Sequence, residues 1–224
     1  MKNIMKKGFT LAEILIVLTI IGVMAVMTIP SLIQNSNSQQ KIAMFKKAFT
    51  SAVNAYDTEF ALKNKPDNST MTSVYSVFDA LVNQLNVKYY QHIETGEKYY
   101  TKPRTVYLYW IVTEDGIGYR MSNANDECNK KIDINAQKNA TNARKQSCLF
   151  IEVMPNVLKK GVIGTTGTNY DKAMCKDNTD LNKLNCNMMR FYVAKDGITS
   201  GNPDCVFAGR VMSDNTVYDS SKCQ

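Results

Sequence analysis

The sequence predicts an α+β protein in which a long N-terminal helix, partly transmembrane, packs on a small antiparallel sheet with long, disulfide-stapled loops. Three observations favour this fold: an apolar run near the N-terminus, aromatic and β-branched runs farther along, and six cysteines confined to residues 128–223. Of the 224 residues, 44% are hydrophobic and 21% are charged, which is enough apolar material for one core. We therefore expect one globular domain with an appendage.

The apolar run extends from Phe9 to Ile29 and contains one charged residue, Glu13. Its 21 residues match the roughly 20 that an α-helix needs to cross the hydrocarbon core of a bilayer. Lys2, Lys6 and Lys7 precede it, and the net charge of +7 falls to +4 without them, so we expect the N-terminus to stay in the cytoplasm. A secretory signal peptide is the alternative, but the run is long, contains an acid and lacks an A-x-A-like cleavage site.

Helical periodicity continues beyond the apolar run. In residues 31–64, apolar side chains recur mostly at three- and four-residue steps, as on one face of an amphipathic helix: Leu32, Ile33, Ile42, Phe45, Phe49, Ala52, Val53, Tyr56 and Phe60. A continuous helix from Phe9 to Lys63 would be about 80 Å long, so only its second half can lie on a globular domain. Gly22 and Pro30 interrupt the first half, and we expect them to soften it.

Glu13 is costly within an apolar helix. A carboxylate near the centre of a span costs roughly 2.5–3.5 kcal/mol on insertion scales, and less near an interface. Glu13 lies about 6 Å along the helix axis from Phe9, so it could snorkel into the headgroups. Cleavage between Gly8 and Phe9 would instead create an α-ammonium at the edge of the apolar zone, and Glu13 of a neighbouring copy could neutralise it.

The segment KKGFTLAEILIVLTIIGVMAVMTIP resembles the N-terminus of type IV prepilins and type II secretion pseudopilins. The resemblance implies that a membrane-embedded aspartyl peptidase, the prepilin peptidase, cleaves after Gly8 and N-methylates Phe9. It also implies that Glu13 helps to dock the subunit into a growing filament, and that Gly22 and Pro30 are the pair that softens the helix. Beyond the N-terminal helix, the likeness is one of architecture.

This resemblance implies a pilin-like organisation, with a leader at residues 1–8, the transmembrane and assembly half of the helix at 9–30, its amphipathic half at 31–64 and an outer α+β domain at 65–224. The protein would be a single-pass inner-membrane protein before assembly, with a periplasmic or extracellular outer domain, and would then join a pilus or pseudopilus. The implied partners are other pilin or pseudopilin subunits, prepilin peptidase, the inner-membrane assembly machinery and, before assembly, membrane lipid.

In the outer domain, periodicity predicts one further helix and several strands. The helix is indicated by apolar residues at helical spacing: Val74, Val77, Phe78, Leu81, Val82 and Leu85. A hairpin is indicated by VYLYWIVT from Val106 to Thr113, a turn at EDG, and IGYRM from Ile117. Further strands are predicted at Cys148–Val153, Met189–Ala194 and Val206–Met212. Three or four antiparallel strands would then cover the second half of the long helix.

The cysteines are expected to form three disulfides outside the cytoplasm. Their even number, their absence from the first 127 residues and the lack of a CxxC pair argue against zinc and for a disulfide framework. Other pairings stay open, but proximity along the chain favours Cys128 with Cys148, Cys175 with Cys186, and Cys205 with Cys223. These bridges would order the long polar loops at Ser122–Ser147 and Gly161–Asn187.

The chain carries no catalytic motif, and we expect no enzyme activity, no metal and no cofactor. His92 is the only histidine, and neither a G-x-S-x-G nor a GxxxxGK motif occurs. Calcium is the alternative, because hard oxygen ligands occur in the loops, although not at the spacing of a D-x-D-x-D-G loop. These candidate ligands are Glu127, Asp171, Asp177 and Asp180.

The pattern as a whole favours a structural subunit that leaves the inner membrane and polymerises through its N-terminal helix. The alternative is a minor pilin that binds DNA or a surface at a filament tip, through the basic residues Lys130, Lys131, Lys138, Arg144 and Lys145. A membrane-anchored domain that never assembles is a third interpretation. The aromatic residues of the predicted hairpin, Tyr107, Tyr109 and Trp110, are expected to serve in sheet or interface packing rather than in ligand stacking.

Overall fold

A computed structural model describes residues 9–62, 74–95, 106–123, 132–147, 149–155, 157, 173–194, 197–215 and 218–223. Its helices are α1 Leu11–Leu62, α2 Val74–Gln84, α3 Ala140–Gln146 and α4 Phe207–Met212. Its strands are β1 Val87–Thr95, β2 Val106–Thr113, β3 Gly118–Asn123, β4 Leu149–Met154, β5 Met189–Ala194 and β6 Gly197–Thr199. Short 3-10 turns occupy Ile134–Ala136 and Leu181–Lys183. The predicted α+β class is confirmed.

Helix α1 is continuous over 52 residues, and Pro30 lies inside it. At 1.5 Å per residue it is about 78 Å long, in agreement with the unbroken helical pattern of the sequence. Ser38 is its first buried residue. The predicted amphipathic stripe is wrong at Leu32 and Ile33, which are 65% and 55% exposed. Among the described residues, the outer domain covers the helix only from Ser38 onward, so apolar spacing before that point has nothing to pack against.

The sheet has six antiparallel strands in the order β1-β2-β3-β4-β5-β6. Each strand pairs with the next one along the chain, as short connections favour. β2 and β5 have the predicted bounds, and β3 and β4 begin one residue later than predicted. The expectation of three or four strands was too low, because β1 lacks strict apolar alternation and β6 has three residues. The short helix α3 was also not predicted.

One face of the sheet packs on the second half of α1. The helix contributes a buried row of aromatic and small residues: Phe45, Ala48, Ala52, Ala55 and Tyr56. The strands contribute apolar residues at alternate positions: Ile111, Tyr119, Met121, Ile151, Val153, Phe191 and Val193. The rings of Phe49 and Phe191 are 4.8 Å apart between centroids. α2 adds Val77 and Leu81 to this core, so it packs beside α1 through its predicted apolar stripe.

The opposite face of the sheet carries a buried ion-pair triad. Glu152 of β4 is fully buried and is paired in register with Arg120 of β3 and Arg190 of β5. Arg120 donates through Nε to Oε2 of Glu152 at 2.6 Å, and Arg190 donates through Nη2 to Oε1 at 2.6 Å. The Arg190 guanidinium also lies 4.2 Å from the centroid of the Phe150 ring. Each charge of the triad is thus paired with an opposite charge where water is excluded, as buried charges require.

The strand predicted at Val206–Met212 is wrong, because these residues form α4. Gly209 lies against the backbone of the preceding turn, since a Cβ there would come within 2.5 Å of the carbonyl oxygen of Asn202. Five consecutive residues of α4 are buried. The run therefore lacks the regular alternation of buried and exposed positions by which a sequence distinguishes a short helix from a buried strand. A tertiary contact supports the helix, because the Asp177 carboxylate accepts the Phe207 N–H at 3.3 Å.

Disulfides join Cys175 to Cys186 and Cys205 to Cys223, which are two of the three pairs expected from proximity. The third expected pair, Cys128 with Cys148, lies outside the described residues. The first bridge closes a loop that contains the Leu181–Lys183 turn. The second ties the segment after α4 to the start of that helix. The Cys175–Cys186 bridge thus lies within the polar connector Gly161–Asn187, as expected.

Candidate functional site

The most extensive exposed apolar surface among the described residues is the first part of α1. We call residues 9–37 the bare arm and residues 38–62 the docked half. Every large apolar side chain from Phe9 to Ile33 is at least 47% exposed. In the rest of the described chain, Ile134 is the one other exposed large apolar side chain, at 44% exposure. An apolar surface of this extent indicates contact with lipid or with other protein.

The bare arm is suited to a membrane by length and composition. Of the described helices, α1 is the one that is long and apolar enough to cross a bilayer. No part of its most apolar stretch is buried in the protein. From Ile14 to Ile29 large apolar side chains lie on all sides of the helix, whereas a surface helix of a soluble domain has one apolar stripe. The hydroxyls of Thr19 and Thr28 are satisfied within the helix, since they donate to the carbonyl oxygens of Leu15 and Met24 at 2.8 and 2.9 Å. These two hydroxyls therefore need no partner from lipid.

The start of α1 is closed by a capping box formed by Thr10 and Glu13. Thr10 donates its backbone N–H and its hydroxyl to Oε2 of Glu13 at 2.8 and 2.9 Å, and its Oγ1 accepts the Glu13 N–H at 3.3 Å. The carboxylate is therefore held back toward Phe9, which is 85% exposed. In the part of the chain that the structure describes, no cationic side chain pairs with Glu13. A cation from outside the chain can approach it there.

Thr10 is a site residue that the sequence analysis missed. The signal was present, because a threonine three positions before a glutamate at the start of an apolar run is the pattern of a capping box. Gly8, the other residue of the expected cleavage junction, lies outside the described residues. Cleavage there and methylation of Phe9 stay predictions.

Gly22 opens a shallow depression on the bare arm. Nothing lies within 4 Å of a Cβ placed on it. The depression is lined by Leu18, Thr19, Gly22, Val23, Val26 and Met27. A residue without a side chain lets a second helix approach closely. Pro30 lacks an N–H and cannot donate to the carbonyl of residue 26, so one helical hydrogen bond is missing there. The helix continues through both positions, and their softening role stays a prediction.

The docked half is fastened by polar contacts as well as by the apolar core. Lys41 donates through Nζ to the carbonyl oxygens of Leu184 and Cys186 at 3.0 and 3.2 Å. Ser38 Oγ accepts the Leu184 N–H at 3.0 Å. These partners lie 143 to 146 positions apart along the chain, so no local pattern could have identified them.

Two adjacent lysines of the docked half pair with different parts of the outer domain. Lys46 pairs with Asp214, which follows α4, and Lys47 Nζ lies 2.6 Å from Asp115 in the β2–β3 turn. The Asp115 carboxylate also accepts the Thr113 hydroxyl. Burial alone would raise the pKa of Asp115, but hydrogen bonds from Lys47, Thr113 and a backbone N–H together hold that pKa below its ordinary value.

The carboxylates considered for calcium cap helices and turns where the structure describes them. Asp177 accepts the first N–H groups of α3 and α4 at 2.9 and 3.3 Å, and Asp180 accepts an N–H of the Leu181–Lys183 turn at 2.9 Å. Glu127 and Asp171 lie outside the described residues. Within the described ranges, no three His, Cys, Asp or Glu side chains are grouped to hold a metal ion. Calcium binding stays the alternative to the expectation of no metal, and it is untested.

The basic cluster considered for DNA is only partly described. Lys138 donates to the Lys222 carbonyl oxygen at 3.2 Å, and the Arg144 guanidinium lies 5.4 Å from the centroid of the Phe150 ring. Several candidate side chains lie outside the description: Lys130, Lys131, His92, Tyr107, Tyr109 and Trp110. DNA binding therefore stays an untested alternative, and the packing role of the hairpin aromatics stays a prediction.

Residues 4–29 match the family model of the prokaryotic N-terminal methylation motif, which is the type IV prepilin-type signal motif. The resemblance seen in the sequence is thereby confirmed for this segment, which includes Gly8, Phe9, Glu13 and Gly22. No curated protein and no solved structure matches the chain.

The motif supports a type IV pilin-like precursor and points to a structural subunit rather than an enzyme. It implies processing by prepilin peptidase and other pilin subunits as partners. Together with the apolar helix, it is consistent with membrane anchoring.

Proposed function

We propose that this chain is the precursor of a structural subunit of a type IV pilus or of a type II secretion pseudopilus. Prepilin peptidase cleaves it after Gly8 and N-methylates Phe9, and the mature chain joins a helical filament through α1. The observation that carries the proposal is the bare arm itself, an exposed apolar helix that begins in a methylation motif and holds Glu13 at its tip.

The bare arm needs apolar surroundings both before and after assembly. In the inner membrane, lipid covers it, and Lys2, Lys6 and Lys7 keep its N-terminal side cytoplasmic, so the outer domain is periplasmic or extracellular. In the filament, the arms of other copies cover it, after the inner-membrane assembly machinery has moved the subunit. Lipid tails are as apolar as leucine side chains, so the exchange of lipid for protein neighbours does not by itself fix how one subunit aligns with the next. A directional contact must set the register between subunits.

Glu13 supplies that directional contact. Cleavage creates an α-ammonium on Phe9, and Thr10 already orients the Glu13 carboxylate toward the N-terminal end of the arm. Away from water, the attraction between opposite charges is stronger and an unpaired charge costs more. The α-ammonium of one copy therefore pairs with the carboxylate of the next. Because this contact joins two different surfaces, its unclosed repetition builds a helical filament.

Co-expression of the full chain with a prepilin peptidase tests this proposal. Intact mass is expected to show the loss of residues 1–8 and the gain of one methyl group, and electron microscopy of sheared surface material is expected to show fibres. Abundant fibres support a major pilin, and processing without fibres supports a minor pilin or a secretion role. A chain that keeps residues 1–8 beside an active peptidase contradicts the proposal.

Glu13→Gln separates the charge from the cap. Glutamine keeps an oxygen that accepts from Thr10 but cannot pair with an ammonium as an ion. Because a hydrogen bond to a charged group is worth about 1.5–3 kcal/mol, we expect at least about tenfold fewer subunits in fibres, with processing unchanged. Asp57→Asn, which neutralises an exposed carboxylate in the docked half of the same helix, is the matched control. Native-like assembly of the Glu13→Gln chain would falsify the ion pair.

A further inference from the structure

The loop closed by Cys175 and Cys186 forms the first contact between the outer domain and α1. We call residues 175–186 the disulfide loop. Its Leu181 and Leu184 are buried in the main core, at 4% and 5% exposure. Its Leu184 N–H and two of its carbonyl groups hold Ser38 and Lys41, as described above. The disulfide loop therefore clamps the helix at the beginning of the docked half.

The position of this clamp sets the length of the bare arm. After Ser38, the next fully buried residue of α1 is Phe45, which contacts the sheet core. The seven residues from Ser38 to Met44 correspond to about 10 Å of helix. Release of the disulfide loop would free this segment from its polar anchors, while Phe45 and the following alanines would stay packed.

The two described disulfides differ in their access to solvent. Cys205 and Cys223 are buried, at 1% and 8% exposure. In the other bridge Cys186 is 4% exposed, whereas Cys175 is half-buried and lines a cavity of about 230 Å³. Lys176 is exposed and lines the same cavity, and its positive charge favours the approach of a thiolate. The carboxylate of Asp177, also in the lining, is occupied by the N–H groups of α3 and α4.

We propose that Cys175–Cys186 is a thiol–disulfide exchange site for a dithiol oxidoreductant, and that its state controls the docking of Ser38 to Met44. The thiolate of the partner attacks the sulfur of Cys175, the S–S bond breaks, and Cys186 leaves as a thiolate that takes up a proton. The second thiol of the partner then displaces Cys175. The partner is oxidised to a disulfide, and both cysteines are reduced to thiols.

Reduction opens the disulfide loop, so the groups that hold Ser38 and Lys41 are no longer fixed in place. The reverse reaction, with the oxidised partner, forms the bridge again and restores the clamp. Reduction of Cys205–Cys223 has no such effect on α1, because that bridge ties the segment after α4 to the start of that helix. The inference concerns the docked half and does not depend on filament assembly.

The test uses the full chain in detergent micelles, equilibrated over a series of reduced to oxidised dithiothreitol ratios. Alkylation and mass spectrometry identify the reduced cysteines, and hydrogen exchange is followed over residues 38–44 and, as an internal reference, 52–56. We expect Cys175 and Cys186 to be reduced at an at least about tenfold lower ratio than Cys205 and Cys223. Exchange over 38–44 is expected to rise in step, with 52–56 unchanged.

Two outcomes overturn the proposal. One is reduction of Cys205–Cys223 before or together with Cys175–Cys186. The other is unchanged exchange over residues 38–44 after Cys175–Cys186 has been reduced. The double variant Cys175→Ser/Cys186→Ser is expected to show fast exchange over 38–44 without reductant, whereas Cys205→Ser/Cys223→Ser is the matched control and is expected to match the native chain there. The redox series on the native chain decides the matter even where a variant fails to fold.

Discussion

The bare arm and the docked half belong to one continuous helix, yet they distribute their apolar side chains differently. Around the bare arm, large apolar side chains occur on every side and are exposed. In the docked half, the buried side chains form one face, and Lys46 and Lys47 reach from the flanks of that face to the outer domain. The apolar content of both segments is high, but only the docked half is amphipathic.

The difference teaches that hydrophobicity alone does not place a helix in a protein core. A single apolar stripe can be covered by one sheet, whereas a helix that is apolar all round needs lipid or several protein neighbours. The alanines of the docked half also let its backbone approach the sheet, while the arm carries bulky residues on every side. The outer domain can therefore fold while the arm stays available for other contacts.

Phe45→Ala is expected to have the largest effect, because it creates a cavity in the docked half only. Phe45 is fully buried, and the loss of such a side chain lowers the free energy of unfolding by about 3–5 kcal/mol. Leu32→Ala, the matched change in the bare arm, should alter it by less than about 0.5 kcal/mol. Denaturation of the full chain in micelles, followed by the fluorescence of Trp110, measures both. Equal effects would contradict the division of α1.

Glu152→Gln tests whether the outer domain and the bare arm are independent. The change removes the negative charge between Arg120 and Arg190, and breaking a buried pair lowers the free energy of unfolding by about 3 kcal/mol. The triad lies on the sheet face away from α1, so membrane association of the arm, measured by alkaline extraction, should not change. Extraction of the variant together with its loss of stability would show that the two regions depend on each other.

Thr10→Ala addresses the tip of the bare arm. It removes the hydroxyl that bonds to Glu13 in both directions, and the loss of such a cap costs about 1 kcal/mol of local helix stability. Amide exchange in the first turn of α1, measured by NMR in micelles, should speed up about fivefold. The unfolding midpoint of the outer domain should stay the same, and a shift in that midpoint would mean that the cap is not local.

The pair of Lys47 with Asp115 should give the smallest effect, and one that depends on pH. Because the folded pKa of Asp115 is lowered, its contribution is present above the unfolded pKa near 3.8 and is lost as the pH falls through the folded pKa. Asp115 is partly exposed, so solvent screening limits the contribution to less than about 1 kcal/mol. The stability difference between the native chain and Asp115→Asn should vanish in acid. A difference that is constant with pH would contradict this assignment.

Local patterns predicted the elements whose signal lies within the element. The bounds of β2 and β5 follow from aromatic and β-branched runs, and α2 follows from its apolar spacing. Val206–Met212 has the same kind of apolar run but forms a helix, because Gly209 fits against the turn at Asn202. A short run buried on all sides carries no period, so its neighbours decide its conformation.

The candidate site divides in the same way. Phe9, Glu13 and Gly22 were recognised because the methylation motif is contiguous, and the spacing of Thr10 and Glu13 contained the capping box as well. The clamp on the docked half could not be predicted, since the partners of Ser38 and Lys41 come from the disulfide loop.

The sequence by itself determined the apolar arm, its motif and its terminal carboxylate, because composition and spacing within one helix specify them. The tertiary structure alone decided where the arm ends, since burial begins only where the disulfide loop meets Ser38, 146 positions from its partner Leu184. It also decided the pairing of Glu152 with two arginines on neighbouring strands. Contacts between distant residues have no signature in local periodicity, because each partner's position depends on how the whole sheet folds.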